Sequence, residues 1–204
     1  MTGAGPGGEG GRDPGGTSWA DGAEWLNPPP DWSVEGGVLT ATSGERTDFW
    51  RETFYGFVRD NGHARLSRRN GDFSAVLRFD GAYSALYDQA GLMIRLGPDE
   101  WIKFGVELTD GAPHLSVVVT RGVSDWSARW LDSDGPLTIR ATRLGTALLM
   151  QSRAPDGWRM ERLAPIGAGQ AGVGPFLCSP ERAGFAARFL DFEVTGPQVR
   201  ALHD

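Results

Sequence analysis

Residues 87–96, YDQAGLMIRL, and residues 101–108, WIKFGVEL, decide the fold of this chain. In each run apolar residues alternate with polar or aromatic ones, which is the pattern of a β-strand with one buried face. Gly97, Pro98 and Asp99 lie between the runs, and these residue types are common in turns. The two runs therefore predict an antiparallel β-hairpin.

Two registers of this hairpin keep the apolar residues on one face. The first places Arg95 opposite Lys103, which is an unfavourable pairing of like charges. The second places Arg95 opposite Trp101 and allows a guanidinium–indole contact, worth about 0.5–1 kcal/mol at an exposed site. We prefer the second register. It gathers six side chains on the face away from the core: Gln89, Met93, Arg95, Trp101, Lys103 and Glu107.

The mixture of groups on that face predicts a groove that binds a polar ligand, because a flat aromatic ring lies among convergent hydrogen-bonding groups. We expect Trp101, Lys103 and Glu107 to be solvent-accessible in one cleft. The alternative is an ordinary solvated face with one cation–π contact. Lys103 is the single lysine beside nineteen arginines. Either a compact ammonium is required at this position, or one lysine occurs there by chance.

The rest of the chain repeats the pattern of short alternating runs, and helical periodicity is almost absent. Further predicted strands include FSAVLRF (73–79), LSVVVT (115–120), LTIRATRL (137–144) and FAARFLDFEV (185–194). Turn sequences such as TDGAP and DSDGP separate them. Many short strands at this spacing predict an all-β fold, a jelly-roll β-sandwich of two antiparallel sheets.

The composition predicts one domain with two flanking segments. Residues 1–18 are rich in glycine and are expected to form a disordered leader. Residues 19–196 are predicted to form the jelly-roll domain, and residues 197–204 a C-terminal tail. No run approaches the ~20 apolar residues of a membrane span, and the first residues lack the pattern of a secretory signal. A single cysteine, Cys178, allows no internal disulfide, so we expect a cytoplasmic protein.

The charge and ligand inventory excludes several classes of partner. A net charge of −6 argues against a nucleic-acid surface, which needs clustered positive charge. His63, His114 and His203 are far apart in the sequence and do not have the spacing of zinc ligands. DSDG at 132–135 is typical of a turn and short for a calcium loop. We therefore expect no cofactor, no catalytic metal, and neither nucleic acid nor membrane as a partner.

Several motifs, taken in order, resemble the DUF1349 family. They are TDFWRETFYGFVRDNGH (47–63), YDQAGLMIR (87–95), WIKFGVE (101–107), LSVVVTRGVSDWS (115–127), GPFLCSP (174–180) and GFAARFLDFEV (184–194). The resemblance extends from about Glu24 to Val194. It implies a concanavalin A-like lectin/glucanase jelly roll, a superfamily in which sugars typically bind on a concave sheet face. The family is also described as similar to a yeast regulator of enolase, which implies regulation through a protein partner.

The resemblance places polar and aromatic motif residues around the concave groove. Of the neighbours Trp50 and Arg51, only one should face it, because successive strand residues point to opposite sides. Together with the hairpin face, the candidate ligand-binding residues are Trp50, Arg51, Tyr87, Asp88, Gln89, Arg95, Trp101, Lys103, Glu107, Asp125 and Trp126; Asp48 and Ser124 lie in the same motifs.

The sequence departs from the catalytic pattern of the superfamily. Its glucanases typically present acidic residues as E-x-D-x-E on one strand, whereas WIKFGVE carries one carboxylate. A glycosidase needs two carboxyl groups about 5–5.5 Å or 6.5–9.5 Å apart, for which Glu107 with Asp88 or Asp125 is conceivable. If the protein is an enzyme, the catalytic residues would be Glu107, Asp88 and Lys103.

We therefore predict a jelly-roll protein that binds a saccharide or sugar acid without turnover. A regulatory protein that acts through a protein partner is the alternative. An atypical glycoside hydrolase or lyase is the third reading, with arginines and Lys103 holding a sugar carboxylate in the lyase case.

Overall fold

The computed structural model describes Trp19, residues 22–132 and residues 135–202. The predicted leader, residues 1–18, lies outside the described residues. Within the described part of the chain there is no helix, and so none with the length and hydropathy of a membrane span. Its strands are β1 (Ala23–Leu26), β2 (Asp31–Glu35), β3 (Val38–Thr42), β4 (Phe49–Arg51), β5 (Val58–Asp60), β6 (His63–Arg69), β7 (Phe73–Gly81), β8 (Gln89–Arg95), β9 (Glu100–Thr109), β10 (Ala112–Arg121), β11 (Val123–Trp130), β12 (Leu137–Leu144), β13 (Ala147–Ala154), β14 (Gly157–Pro165), β15 (Ala171–Cys178) and β16 (Ala186–Thr195).

The strands form two antiparallel sheets and one short hairpin. Sheet A has the strand order β1-β6-β15-β8-β9-β10-β11, and sheet B has the order β14-β13-β12-β7-β16-β3-β2. Strands β4 and β5 pair only with each other. The structure confirms the predicted all-β jelly-roll sandwich.

The main core lies between the two sheets. Most of the long strands contribute alternate residues to it, as the sequence pattern predicts. The buried set in β7 is Phe73, Ala75, Leu77 and Phe79, and the sets in β8 and β9 are Leu92, Ile94, Ile102, Phe104 and Val106. Val199, in the predicted tail, is buried as well, and the Gln198 N–H donates to Ser74 Oγ at 2.9 Å. The first residues of the tail therefore pack on the domain.

A second apolar cluster covers the outer face of sheet A, which is the face turned away from sheet B. Phe49 of β4 packs on Trp101 of β9 with ring centroids 6.0 Å apart, and Met93 is buried in the same cluster. A Cβ added to Gly62 would lie 2.4 Å from the Phe49 ring and 2.5 Å from Cys178 Sγ. The hairpin β4–β5 is thus packed tightly onto sheet A.

Two glycines inside the predicted hairpin let β8 and β9 pair closely. Gly91 lies directly opposite Gly105. A Cβ added to Gly105 would be 2.1 Å from the Ala90 carbonyl oxygen and 2.6 Å from Gly91 Cα, distances that no side chain tolerates. A glycine within a strand often marks such a close backbone approach. This pair separates Gln89 and Glu107 from Met93 and Lys103 along the outer face.

Replacing Gly105 by Ala should destabilise the protein strongly. The new methyl group meets backbone atoms rather than a flexible side chain, so the strands must separate, and we expect a loss of about 3 kcal/mol or more in the free energy of unfolding. Urea denaturation measures this loss. Gly196→Ala is the matched control, because nothing lies within 4 Å of a Cβ at Gly196. Equal stability of the two variants would contradict the close approach.

Candidate functional site

The structure confirms the preferred register of the β8–β9 hairpin. Gln89 pairs with Glu107, Met93 with Lys103, and Arg95 with Trp101. All six side chains lie on the outer face of sheet A, as predicted from the alternation.

The accessibility predicted for this face is wrong. Trp101 is 1% exposed, Lys103 3% and Glu107 7%, because Phe49 packs on Trp101, Asp48 pairs with Lys103, and Trp126 packs on Glu107. The predicted stacking of Arg95 on Trp101 is replaced by a bidentate ion pair of Arg95 with Asp60 of β5, at 2.9 and 2.8 Å. Arg95 also lies 5.8 Å from the Phe49 ring centroid. The outer face of β8–β9 was predicted to line an open groove, and the β4–β5 hairpin instead covers most of that face.

A small cavity remains where the hairpin stops covering sheet A. It has a volume of about 40 Å³. A cavity of roughly 10–15 Å³ already holds one water molecule, so this one accommodates one small functional group or a few waters. Its lining residues come from both β4–β5 and sheet A: Asp48, Trp50, Tyr55, Tyr87, Gln89, Lys103, Glu107, Val118 and Trp126.

The buried ammonium of Lys103 forms the centre of the polar network. Its Nζ donates to Gln89 Oε1 at 2.6 Å and to Asp48 Oδ1 at 3.2 Å. Asp48 Oδ1 also accepts the backbone N–H of Phe49 at 2.8 Å. A buried charge is costly unless it is paired and hydrogen-bonded. The network meets that requirement and ties the residue before β4 to strands β8 and β9.

Glu107 closes the other side of the cavity. Its Oε2 accepts hydrogen bonds from Ser116 Oγ at 2.6 Å and from the Trp126 indole N–H at 3.1 Å. Burial raises the pKa of Glu107 above its usual value, although the charge of Lys103 and the two hydrogen bonds oppose that shift. Within the described residues no donor is paired with Glu107 Oε1 or with Asp48 Oδ2. Two residues that line the cavity, Asp48 and Glu107, therefore each keep one carboxylate oxygen without a donor.

Two tyrosines face each other at the mouth of the cavity. The hydroxyl groups of Tyr55 and Tyr87 are 2.9 Å apart, which raises the pKa of Tyr87 to about 12, with burial adding to the shift. Tyr87 has a φ of 63°, a left-handed conformation that costs a non-glycine residue energy. Its N–H nevertheless donates to the Leu108 carbonyl at 2.7 Å. The backbone is thus held in the conformation that places the Tyr87 ring at the cavity.

Comparison with known proteins gives the family. The model of a family described as "Protein of unknown function (DUF1349)" matches residues 25–197. The chain belongs to the DUF1349 family. "Regulation of enolase protein 1" of Saccharomyces cerevisiae is 41% identical to it over 183 residues, which are 88% of this chain and 92% of the yeast protein.

Solved structures extend the comparison of this DUF1349 protein. A crystal structure titled as a functionally unknown protein from Saccharomyces cerevisiae matches with a TM-score of 0.85 and 39% identity, covering 90% of this chain and 100% of that one. The GH43 protein BlXynB of Bacillus licheniformis matches with a TM-score of 0.64 and 19% identity, over 82% of this chain and 35% of that one. The CBM2 module of the Lactobacillus casei phage J-1 evolved Dit matches with a TM-score of 0.58 and 14% identity, over 89% and 92%. The last two similarities show the fold alone.

The DUF1349 structure brings only part of the predicted residue set together. Trp50, Tyr87, Gln89, Lys103, Glu107 and Trp126 line the cavity, and so does Asp48. Of the neighbours on β4, Trp50 faces the cavity, whereas Arg51 donates from Nε to the Gly122 carbonyl at 2.8 Å. This agrees with the prediction that only one of the pair faces the site. Arg51, Asp88, Arg95, Trp101 and Asp125 lie outside the cavity lining.

Asp88 and Asp125 are unsuited to act with Glu107 as a catalytic pair. Asp125 is exposed and forms an ion pair with Arg162 of β14 at 2.6 Å. Asp88 is fully buried, and both of its oxygens accept hydrogen bonds from Ser179 Oγ, from Arg182, and from the backbone N–H groups of residues 84 and 85. Asp88 thus fixes the loop before β8.

Sequence reasoning missed three residues of the site. Ser116 and Val118 follow from extending the register to β10, because Ser116 pairs with Gly105 and Val118 with Lys103. That signal was present in the alternation of LSVVVT. Tyr55 lies in the β4–β5 loop, and no periodicity indicates where its ring points.

Replacing Asp88 by Asn should lower the free energy of unfolding near neutral pH by about 2–4 kcal/mol. The substitution removes the buried negative charge that pairs with Arg182. Burial alone would raise the pKa of Asp88, but the hydrogen bonds hold it below its usual value. The folded state thus binds this proton less tightly than the unfolded state. The stabilisation by Asp88 is therefore complete above the unfolded pKa of about 3.9 and is lost as the pH falls through the folded pKa.

Urea denaturation of wild type and Asp88→Asn as a function of pH tests this. The difference should shrink below about pH 4. Asp80→Asn is the control, because Asp80 pairs with the exposed Arg188 at 3.6 Å and a surface ion pair contributes little. A difference that is independent of pH would contradict the role assigned to the Asp88 charge.

Proposed function

We propose that this DUF1349 protein is a recognition protein that binds a saccharide at the cavity without chemical turnover. The observation that supports this is the link between Trp126 and Glu107. Trp126 is 42% exposed at the mouth, and its indole N–H donates to a carboxylate that is buried at the floor. An aromatic face beside convergent polar groups is the usual composition of a site for a small polar ligand.

The dimensions of the cavity define how a sugar would be held. A volume of about 40 Å³ admits one substituent and not a whole ring. The ring would then rest on the aromatic side chains at the mouth, Trp126 and the 47%-exposed Tyr55. The substituent would reach the unpaired oxygens of Asp48 and Glu107 below them.

The charges favour a saccharide that has no carboxylate over a sugar acid. Both unpaired atoms are carboxylate oxygens, and they would repel a ligand carboxylate. Lys103 offsets this repulsion only in part, because its single positive charge serves two carboxylates, Asp48 and Glu107, and it already donates to Asp48 and Gln89. The expected ligand group is therefore a hydrogen-bond donor.

The arrangement also favours binding over hydrolysis. A glycosidase needs two carboxyl groups on either side of the scissile bond. Here Asp48 is neutralised by Lys103, and the cavity is too small to enclose a glycosidic linkage. Burial raises the pKa of Glu107, which suits a general acid, but Ser116 and Trp126 occupy one of its oxygens.

A ligand-induced thermal shift tests the proposal. A sugar that binds only the folded state raises its stability by about 2.7 kcal/mol at a hundredfold excess over its dissociation constant. We expect a shift with at least one aldohexose or its amino or methyl glycoside derivative, and we expect Trp126→Ala to abolish it. Trp130→Ala is the control, because Trp130 is exposed on the same strand and packs on His114, away from the cavity. A shift that is equal in both variants, or no shift with any of these sugars, would overturn the saccharide assignment.

A second candidate function is regulation of enolase through direct contact, and it rests on two observations. The first is the 41% identity to a protein named for regulation of enolase. The second is Phe54, which is 94% exposed in the β4–β5 loop. The loop is ordered by hydrogen bonds from Glu52 N to the Phe57 carbonyl and from Gly56 N to the Glu52 carbonyl, at 2.7 and 2.6 Å. Phe54 itself has a φ of 64°. Phe54 packs edge-on against Tyr55, which is 47% exposed, so the loop presents two aromatic rings that can anchor a protein partner.

Biolayer interferometry against purified enolase of the same organism tests this second function. We expect concentration-dependent binding that Phe54→Ala weakens by at least about tenfold, since buried aromatic anchors dominate protein interfaces. Met160→Ala, which alters an exposed apolar residue of β14, should bind like the wild type. Absence of binding by the wild type, or equal binding by both variants, would remove Phe54 as the contact with enolase.

A further inference from the structure

We infer that the cavity binds a protonated amine, so that the ligand is an amino sugar. This inference rests on the proposed saccharide function and names the substituent of the sugar that enters the cavity. The first argument is the pattern of unpaired atoms. Glu107 Oε1 and Asp48 Oδ2 have no donor partner in the described part of the chain. An ammonium group has three donors and no acceptor, whereas a hydroxyl donates one proton. An ammonium therefore has enough donors to serve both oxygens, whereas a hydroxyl can serve only one.

The second argument is the charge of the cavity. Two carboxylates, Asp48 and Glu107, face one ammonium, that of Lys103. When Glu107 is ionised, these three groups sum to one negative charge. Tyr87 adds no charge near neutral pH, because its pKa lies at about 12. A bound cation would bring the sum to zero, and charge-assisted hydrogen bonds are stronger in such a partly buried site than in bulk water.

The third argument is the composition of the walls. Four aromatic residues line the cavity: Trp50, Tyr55, Tyr87 and Trp126. Aromatic faces attract cations, and the attraction grows when the cation is desolvated. Enclosure by several rings together with a carboxylate is the arrangement that selects ammonium groups over hydroxyl groups.

The fourth argument is size. A volume of about 40 Å³ accommodates an ammonium group, which is close to a water molecule in size. An acetamido group is several times larger and carries no charge. The cavity should therefore distinguish a free amine from its acetylated form by charge.

Isothermal titration calorimetry on the full chain at about pH 7, where an amine with a pKa near that of an α-amino group is largely protonated, tests the inference. Four probes are compared: glucosamine, glucose, N-acetylglucosamine and methylammonium chloride. We expect glucosamine to bind at least about tenfold more tightly than glucose, because a charge-assisted hydrogen bond replaces a neutral one. We expect N-acetylglucosamine to bind no more tightly than glucose, because its acetamido group carries no charge.

Glu107→Gln is the decisive variant, because it removes the charge and keeps the shape of the side chain. It should bring the affinity for glucosamine down to that for glucose. Asp125→Asn is the control, since Asp125 is an exposed carboxylate that pairs with Arg162 outside the cavity. It should leave the preference for glucosamine unchanged. If Glu107→Gln fails to fold, Asp48→Asn provides the same test on the second oxygen.

The possible outcomes separate the two proposals. If glucose and glucosamine bind equally, the inference is overturned and the saccharide function stands. If methylammonium binds and no sugar does, the ammonium site stands and the saccharide function falls. If none of the four probes binds, both are overturned.

Discussion

The buried ammonium of Lys103 is the constraint on which the outer face of sheet A depends. A lysine on a strand that is covered by another element must have partners, or its burial costs several kcal/mol. Asp48 supplies the opposite charge at 3.2 Å, and it comes from outside the sheet. The pairing therefore fixes where the covering segment begins. Phe49, the next residue, is then directed onto Trp101, and the second apolar cluster follows from that contact.

Hydrogen bonds connect the segment around Asp48 with Asp88, the residue directly before β8. Ser179 donates from Oγ to Asp88 at 2.7 Å, and its backbone N–H donates to Thr47 Oγ1 at 3.0 Å. Thr47 precedes Asp48, so the segments around residues 47, 88 and 179 are connected through side chains. Asp88 does not line the cavity. Both of its oxygens accept hydrogen bonds from this framework, and it holds the loop that carries Tyr87 in place. The family motifs thus combine residues that line the cavity with residues that hold the lining in place.

The fold followed from the sequence because it depends on local alternation. Core strands such as β7, β8, β9 and β10 show the period of two, and the register of β8–β9 followed from charge repulsion between Arg95 and Lys103. The cover over the outer face could not be predicted, because it depends on contacts between distant segments. Nothing local to Trp101 indicates that Phe49 covers it, and nothing local to Arg95 indicates its pairing with Asp60. Gly105 did carry a signal, since a glycine inside a strand marks close contact.

The hydrogen bond between the Tyr55 and Tyr87 hydroxyls affects the entropy that the site loses when a ligand binds. Tyr55 belongs to the loop of the β4–β5 hairpin and Tyr87 to the loop that enters β8. The hydrogen bond therefore joins the two loops on either side of the cavity mouth. Because these two loops are joined before the ligand arrives, they lose little conformational entropy when it binds. This preserves affinity for a small ligand. The same tether limits how far the mouth can widen. The site is therefore preorganised for a small group, and a larger one has to break this hydrogen bond to enter.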